Sequence, residues 1–111
     1  MILDMKVCQM LYDPEIMEQI ELEDISVHTV PPETVYYLKA PKILVEENYP
    51  EAEWATIMVV IPGVVHSNWD VMVEISPTKD GSDYDYTLLD LPFDLVEKLL
   101  EDVLYLKIKE N

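Results

Sequence analysis

The longest apolar stretch of the chain runs over Trp54–Ser76, and its pattern of apolar and polar positions changes halfway along. From Trp54 to Ile61 both alternating faces are apolar, which is typical of a strand that is covered on both sides of a sheet. From Trp69 to Ser76 apolar residues alternate with polar positions such as Asp70 and Glu74. This pattern predicts a second strand of the same sheet, with one largely solvated face.

The segment between these two strands predicts a loop rather than a tight hairpin. Pro62-Gly63 favours a type II turn, and the twist of that turn does not suit a two-residue hairpin. We therefore expect a wider loop that passes through Ser67-Asn68.

Two patterns compete at the start of the chain. Alternation over Ile2–Tyr12 predicts an opening strand. A helix is the alternative, because Leu3, Val7 and Leu11 also share one helical face. The sequence Asp13-Pro14-Glu15 then predicts a short helix, since aspartate suits the N-cap, proline the first helical position and acids the first turn.

Several shorter segments are rich in residues that favour strands. The predicted strands are Ile25–Val30, Thr34–Lys39, Ile43–Glu46 and Tyr86–Asp90. The second and third, which are separated by Ala40-Pro41, could instead be one strand broken by a bulge. Proline cannot donate a hydrogen bond to a strand ladder, so Pro31-Pro32 predicts a break between the first two.

The strongest helical pattern runs from Pro92 to about Leu104, where apolar residues recur at i, i+3, i+4, i+7 and i+8. Alternation over Leu104–Lys109 then predicts a final edge strand. Together these patterns predict an α+β fold in a single domain over residues 1–111. We expect a mostly antiparallel sheet of about five to six strands, with the C-terminal amphipathic helix and a short N-terminal helix packed on it.

Net charge changes the picture of what the chain can bind. The formal net charge is -16, with 23 acids against seven basic residues, all of them lysine. Such a field repels nucleic acid and anionic membranes and attracts basic proteins. Disorder is not expected, because half of the residues are apolar and follow regular patterns.

No catalytic or metal-binding motif stands out in the sequence. Cys8, His28 and His66 are far apart along the chain and carry no local signature of a nucleophile or a zinc site. Asp80–Asp85 places oxygen ligands around Gly81 but does not match an EF-hand loop. We therefore predict a non-enzymatic protein without a metal or cofactor.

The sequence also carries signals about location. Its first residues lack the basic region and cleavage site of a signal peptide, and no apolar run reaches the roughly 20 residues of a membrane span. One cysteine, which excludes an intramolecular disulfide, fits a reducing compartment. We expect a cytoplasmic protein that does not bind membranes.

Acids interleave with aromatic residues in two predicted loops, at 46–54 and 79–86. Tyrosine and tryptophan are frequent anchors of protein interfaces, and carboxylates around them attract a basic surface. The alternative is that these loops are merely solvated and that Trp54 and Tyr86 lie in the core. The predicted partner-binding residues are Glu46, Glu47, Glu51, Glu53, Asp80, Asp83, Tyr84 and Asp85.

Small size and extreme acidity without a catalytic motif are typical of stoichiometric inhibitors of nucleic-acid enzymes, such as phage-encoded counter-defence proteins. They are also typical of toxin-neutralising immunity proteins. We expect a nucleic-acid mimic that occupies a basic groove on a nucleic-acid-binding protein or enzyme. The alternative is an immunity protein or assembly adaptor that binds its partner mainly through shape and apolar contacts. A homodimer through Met58, Met72 and Tyr36-Tyr37 is a further hypothesis, with a core role for these residues as its alternative.

Overall fold

In residues 5–77 and 91–107, which a computed structural model describes, four antiparallel strands carry helices on one face. The helices are α1 (Met5–Leu11), α2 (Pro14–Met17) and α3 (Phe93–Lys98), which continues as a π-helix over Leu99–Val103. The strands are β1 (Glu21–Thr29), β2 (Pro32–Ala40), β3 (Ala55–Pro62) and β4 (Met72–Ser76). Short 3₁₀ turns lie at Lys42–Leu44 and Asn68–Asp70.

The sheet follows the chain order β1-β2-β3-β4. The predicted break at Pro31-Pro32 is confirmed: the turn contains a cis peptide bond before Pro31, and Pro32 is the first residue of β2. β1 carries a β-bulge, because its register against β2 shifts between Leu22 and Asp24. β3 has a partner on each side and is therefore an interior strand.

The core lies between the sheet and the helices. Leu38, Ile57 and Ile75 form one row across β2, β3 and β4, and all three are fully buried. On the helical side, Leu11 of α1 and Leu99 of the π-helix are equally well buried. Full burial of an aliphatic side chain of this size contributes about 1.5–3 kcal/mol, so this layer holds the strands and helices together.

The central strand predicted over Trp54–Ile61 is confirmed as β3. Ile57 and Val59 face the helices, while Thr56 and Met58 on the opposite face are also buried. Both faces of β3 are therefore covered, as its two-sided apolar pattern indicated.

The opening strand expected over Ile2–Tyr12 is wrong, and the alternative, a helix, is found at Met5–Leu11. Its buried residues are Val7, Cys8 and Leu11, which lie on one side of the helix. Val7 and Leu11 also fit alternation, but Val7 and Cys8 are consecutive and would face opposite sides of a strand, so their common burial requires a helix.

The short helix predicted after Asp13 is confirmed as α2. Its N-cap is Asp13, whose Oδ1 accepts a hydrogen bond from the backbone N–H of Glu15 at 2.9 Å. Pro14 occupies the first helical position, where its missing N–H is not needed.

The strand expected over Ile43–Glu46 is also wrong. The segment begins with a 3₁₀ turn at Lys42–Leu44, and the consecutive residues Leu44 and Val45 are both buried in the core. Neighbouring residues of a strand point to opposite faces, so the chain must turn to bury both on one side.

The two remaining predicted strands do not extend the described sheet. Tyr86–Asp90 lies outside the described residues, and Tyr105–Lys107 of the expected tail strand is not in a strand. The described part of the sheet therefore has four strands rather than five to six.

The strand expected from Trp69 begins later than predicted. β4 starts at Met72, whereas Trp69 lies in a 3₁₀ turn. The Ser67 hydroxyl accepts a hydrogen bond from the backbone N–H of Trp69, and Asp70 completes a capping box. These local hydrogen bonds outweigh the alternating pattern. The wider loop predicted through Ser67-Asn68 is confirmed.

The predicted C-terminal helix is confirmed as α3 and its π-helical extension. At its end the backbone N–H of Leu106 donates to the carbonyl oxygen of Leu100 at 2.7 Å. Tyr105, just before this donor, has a φ of 56°. The helix thus ends on a left-handed residue, at a position where glycine is usual.

Candidate functional site

The loop over 46–53, which we call the acidic loop, is held to the core by the residues that precede it. Leu44 and Val45 are buried, and the backbone N–H of Tyr49 donates to the carbonyl oxygen of Val45 at 3.0 Å. The backbone N–H of Ala52 donates to Tyr49 at 3.1 Å. The loop therefore has a defined course and is not a loose connection.

All four predicted acids of this loop are exposed, namely Glu46, Glu47, Glu51 and Glu53. Glu47 Oε2 accepts from Lys6 Nζ at 2.9 Å, but both side chains are more than half exposed. Such a surface pair contributes at most about 1 kcal/mol. The structure thus brings four of the eight predicted partner-binding residues onto one loop.

The other four predicted residues, Asp80, Asp83, Tyr84 and Asp85, lie outside the described residues. The register of β3 and β4 nevertheless fixes where the chain leaves the sheet. Thr56 near the start of β3 is paired with Ser76 at the end of β4. The chain therefore enters β3 from the acidic loop and leaves β4 at the same end of the sheet, which we call the acidic end.

Trp54 connects the acidic loop to the sheet and is half-buried. Lys39 Nζ lies 4.4 Å from the centroid of its ring, a cation–π contact. A hollow of about 220 Å³ beside this pair is also lined by Glu21, Lys42 and Glu53. Trp54 is consequently neither a core residue nor a fully exposed anchor.

The opposite end of the sheet is apolar and exposed. Val30, Val64 and Trp69, which we call the apolar end, are 90%, 72% and 72% exposed. The backbone N–H of Gly63 donates to the carbonyl oxygen of Pro32 at 2.9 Å, so the loop after β3 touches the β1–β2 turn.

Trp69 at this end stacks on Phe93 at the start of α3, with ring centroids 5.0 Å apart and an angle of 30° between the planes. The alternating sequence pattern predicted a strand at Trp69 and did not indicate that its side chain is exposed. The signal was present, because Ser67 followed three residues later by Asp70 is a capping pattern.

Asp70 fixes the loop that presents Trp69. Its Oδ2 accepts hydrogen bonds from the backbone N–H groups of His66 at 2.8 Å and Ser67 at 3.3 Å. These two donors favour the ionised carboxylate and hold the pKa of Asp70 below its ordinary value. Asn68 is buried between this loop and α3, and its Nδ2 lies 3.4 Å from Glu97 Oε1.

The residues suggested for a dimer face are divided by the sheet. Tyr36 pairs with Val59 on the helical face, whereas Tyr37 pairs with Met58 on the opposite face. Met58 is buried and Met72 is 48% exposed. These residues therefore do not form one exposed patch.

The described residues contain no group of three or more histidine, cysteine, aspartate or glutamate side chains that could hold a metal ion. Cys8 is buried in α1. Within the described ranges, no helix has the length and apolar character needed to cross a membrane.

The chain was compared with protein-family models, with curated proteins and with solved structures, and none of the three comparisons gives a significant match.

Proposed function

We propose that this protein is a non-enzymatic inhibitor that imitates the charge of nucleic acid and occupies the basic groove of a nucleic-acid-binding protein or enzyme. The observation that carries the proposal is the acidic loop, whose four carboxylates are exposed on a backbone anchored by Leu44 and Val45. The formal net charge of -16 adds a long-range attraction to any basic surface.

Duplex DNA presents one negative charge for about every 1.7 Å of its axis, and basic grooves are adapted to a dense row of anions. Glu46, Glu47, Glu51 and Glu53 supply four negative charges within eight residues. Because the loop is already ordered, binding would not carry the full entropy cost of fixing a flexible acidic segment.

The test is a binding screen against a panel of basic nucleic-acid enzymes, at 0.05 M and 0.5 M NaCl. The proposal predicts at least one stoichiometric complex that displaces duplex DNA and weakens steeply as the salt concentration rises. A panel that yields no such complex, or a complex that leaves DNA binding intact, would contradict mimicry.

The role of the acidic loop is tested with Glu46→Gln/Glu51→Gln, which removes two charges and keeps the side-chain shape. Affinity should fall by up to about 30-fold, because each of the two surface charges contributes about 0.2–1 kcal/mol. The matched control is Glu23→Gln/Glu101→Gln, which removes two exposed charges elsewhere. An equal loss in both variants would show that net charge acts without a defined site.

The apolar end favours a second candidate, an immunity protein or assembly adaptor that recognises its partner by shape and apolar contact. An exposed tryptophan supported by a stacked ring is a typical interface anchor, and Trp69 has this arrangement. Such a complex would be nearly insensitive to salt and would weaken in Trp69→Ala, while Glu46→Gln/Glu51→Gln would leave it unchanged.

A further inference from the structure

An open groove of about 530 Å³ lies between two parts of the chain that are distant in sequence. One side is formed by α2 and the start of β1, and the other by the end of the C-terminal helix. Ile20 and Leu104 are buried at its base, while Tyr12, Leu22 and Tyr105 are exposed at its rim. The volume is in the range of ligand sites, but the exposed rim makes it a surface groove rather than an enclosed pocket.

Charges of mostly one sign surround this groove. Among the described residues that line it, Glu18, Glu21 and Asp102 are acidic and Lys98 is the one cation. Glu18 and Glu21 come from the α2–β1 side and Asp102 from the helix opposite, so the carboxylates flank the apolar base instead of converging on one point. Glu21 also lines the hollow beside Trp54, so this one carboxylate borders both depressions.

Tyr105 gives the rim an unusual feature. Its φ of 56° lies in the left-handed region that large side chains avoid, and its side chain is 87% exposed. An aromatic ring is therefore kept in solvent at a position where glycine would fit more easily. The left-handed end of the helix fixes where this ring is presented, and an exposed tyrosine is a favoured anchor for a bound chain.

We propose that this groove binds a basic amphipathic helical segment of a protein partner. Aliphatic side chains of the segment enter the groove between Leu22 and Tyr105, and its lysine or arginine side chains face Glu18, Glu21 and Asp102. Nucleic acids and anionic lipids are repelled by the same carboxylates, and a second copy of this chain would bring its own charge of -16. This site is separate from the acidic loop. Binding at the groove does not require that the protein imitate nucleic acid.

The experiment uses a fluorescent synthetic peptide of about 15 residues, with leucine at i, i+3, i+4 and i+7 and lysine elsewhere. Its comparator is a scrambled peptide of the same composition that lacks the apolar stripe. Anisotropy titrations of the full chain in 0.15 M NaCl should give an affinity about tenfold higher for the amphipathic peptide. Equal affinity for the two peptides would overturn the proposal, because it would indicate charge attraction alone.

Variants then locate the site. Leu22→Ser and Tyr105→Ala should each weaken the amphipathic peptide about fivefold or more, whereas Val27→Ser, on the same strand but outside the groove, should have no effect. Glu46→Gln/Glu51→Gln should leave the affinity within about twofold, which separates this site from the acidic loop.

Amide chemical shifts of the unaltered protein, recorded with and without the peptide, give an answer that does not depend on any variant folding. Shifts centred on residues 17–22 and 102–105 support the proposal. Shifts centred on the acidic loop or the apolar end, or a rise in molecular mass that indicates self-association without peptide in the groove, overturn it.

Discussion

Tyr105 occupies a backbone conformation that costs a non-glycine residue about 1–2 kcal/mol. Because its side chain is almost fully exposed, little packing is lost when it is removed. We expect Tyr105→Gly to raise the free energy of unfolding by up to about 1 kcal/mol, after the higher backbone entropy of glycine in the unfolded chain is deducted.

Urea unfolding at pH 7 measures this change, and Lys107→Gly, at a nearby exposed position, is the control. The control should be neutral or slightly destabilising. If both variants lose stability to the same extent, the left-handed backbone of Tyr105 carries no cost in this protein.

Asp70 supplies a pH-dependent contribution from a single side chain. Its pKa is lowered from an ordinary 3.8 by two backbone donors, so the folded state favours the ionised form. The stabilisation is present above the unfolded pKa and is lost as the pH falls through the lowered folded pKa. Asp70→Asn should therefore lower the free energy of unfolding at pH 7, and this deficit should shrink towards pH 2.

Urea titrations of both proteins at pH 7, 4 and 2 provide the comparison. A deficit of the same size at every pH would mean that the shape of the side chain, and not its charge, holds the loop that carries Trp69.

At the scale of elements, β3 is the strand that joins β2 to β4 and so holds the sheet together. Ile57 is fully buried and paired with buried residues on both neighbouring strands. Ile57→Ala should lower the free energy of unfolding by about 2–5 kcal/mol, because it leaves a cavity in a layer with no solvent access. Val27→Ala on the exposed strand β1 should change it by less than about 0.5 kcal/mol. Similar losses in both variants, measured by urea unfolding, would contradict this assignment of the core.

The sequence predicts an element correctly where its local pattern and its packing in the fold favour the same structure. Trp54–Ile61 is apolar on both faces and could be read as an interior strand without knowing its neighbours. The C-terminal helix was predictable for the same reason, since its apolar positions fit one period only. Asp13-Pro14 marked the start of α2 by hydrogen-bond chemistry that needs no tertiary contact.

The failures occurred where two local patterns fitted the same residues. Val7 and Leu11 suit either a strand or a helix, and packing against the sheet decides between them. At Trp69 alternation competed with the capping box formed by Ser67 and Asp70, and the capping box prevailed. The groove could not be predicted, because Leu22 and Tyr105 meet only through the fold.

At the scale of the whole molecule, the net charge should oppose folding. A formal charge of -16 on one small chain creates self-repulsion that is stronger in the compact state than in the unfolded chain. Added NaCl screens this repulsion, so the urea midpoint should rise between 0.02 M and 0.5 M NaCl. Partner binding by mimicry should weaken over the same range.

Glu23→Lys/Glu101→Lys is the control for this salt effect, because each reversal changes the net charge by two and both side chains are exposed. Its urea midpoint should depend less on salt. A midpoint of the unaltered protein that falls or stays constant would show that self-repulsion is not a significant cost.

The bulged strand β1 has a consequence for self-assembly. In the described sheet it pairs only with β2, and a nine-residue edge strand with exposed Ile25 and Val27 invites pairing between molecules. The bulge and the carboxylates of Glu21, Glu23 and Asp24 oppose such pairing at neutral pH. When these charges are removed in Glu21→Gln/Glu23→Gln/Asp24→Asn, we expect fibrillar, thioflavin-positive aggregates that Ile25→Lys suppresses. The acidity of this chain would then protect its own sheet from polymerising, whether or not a partner is bound.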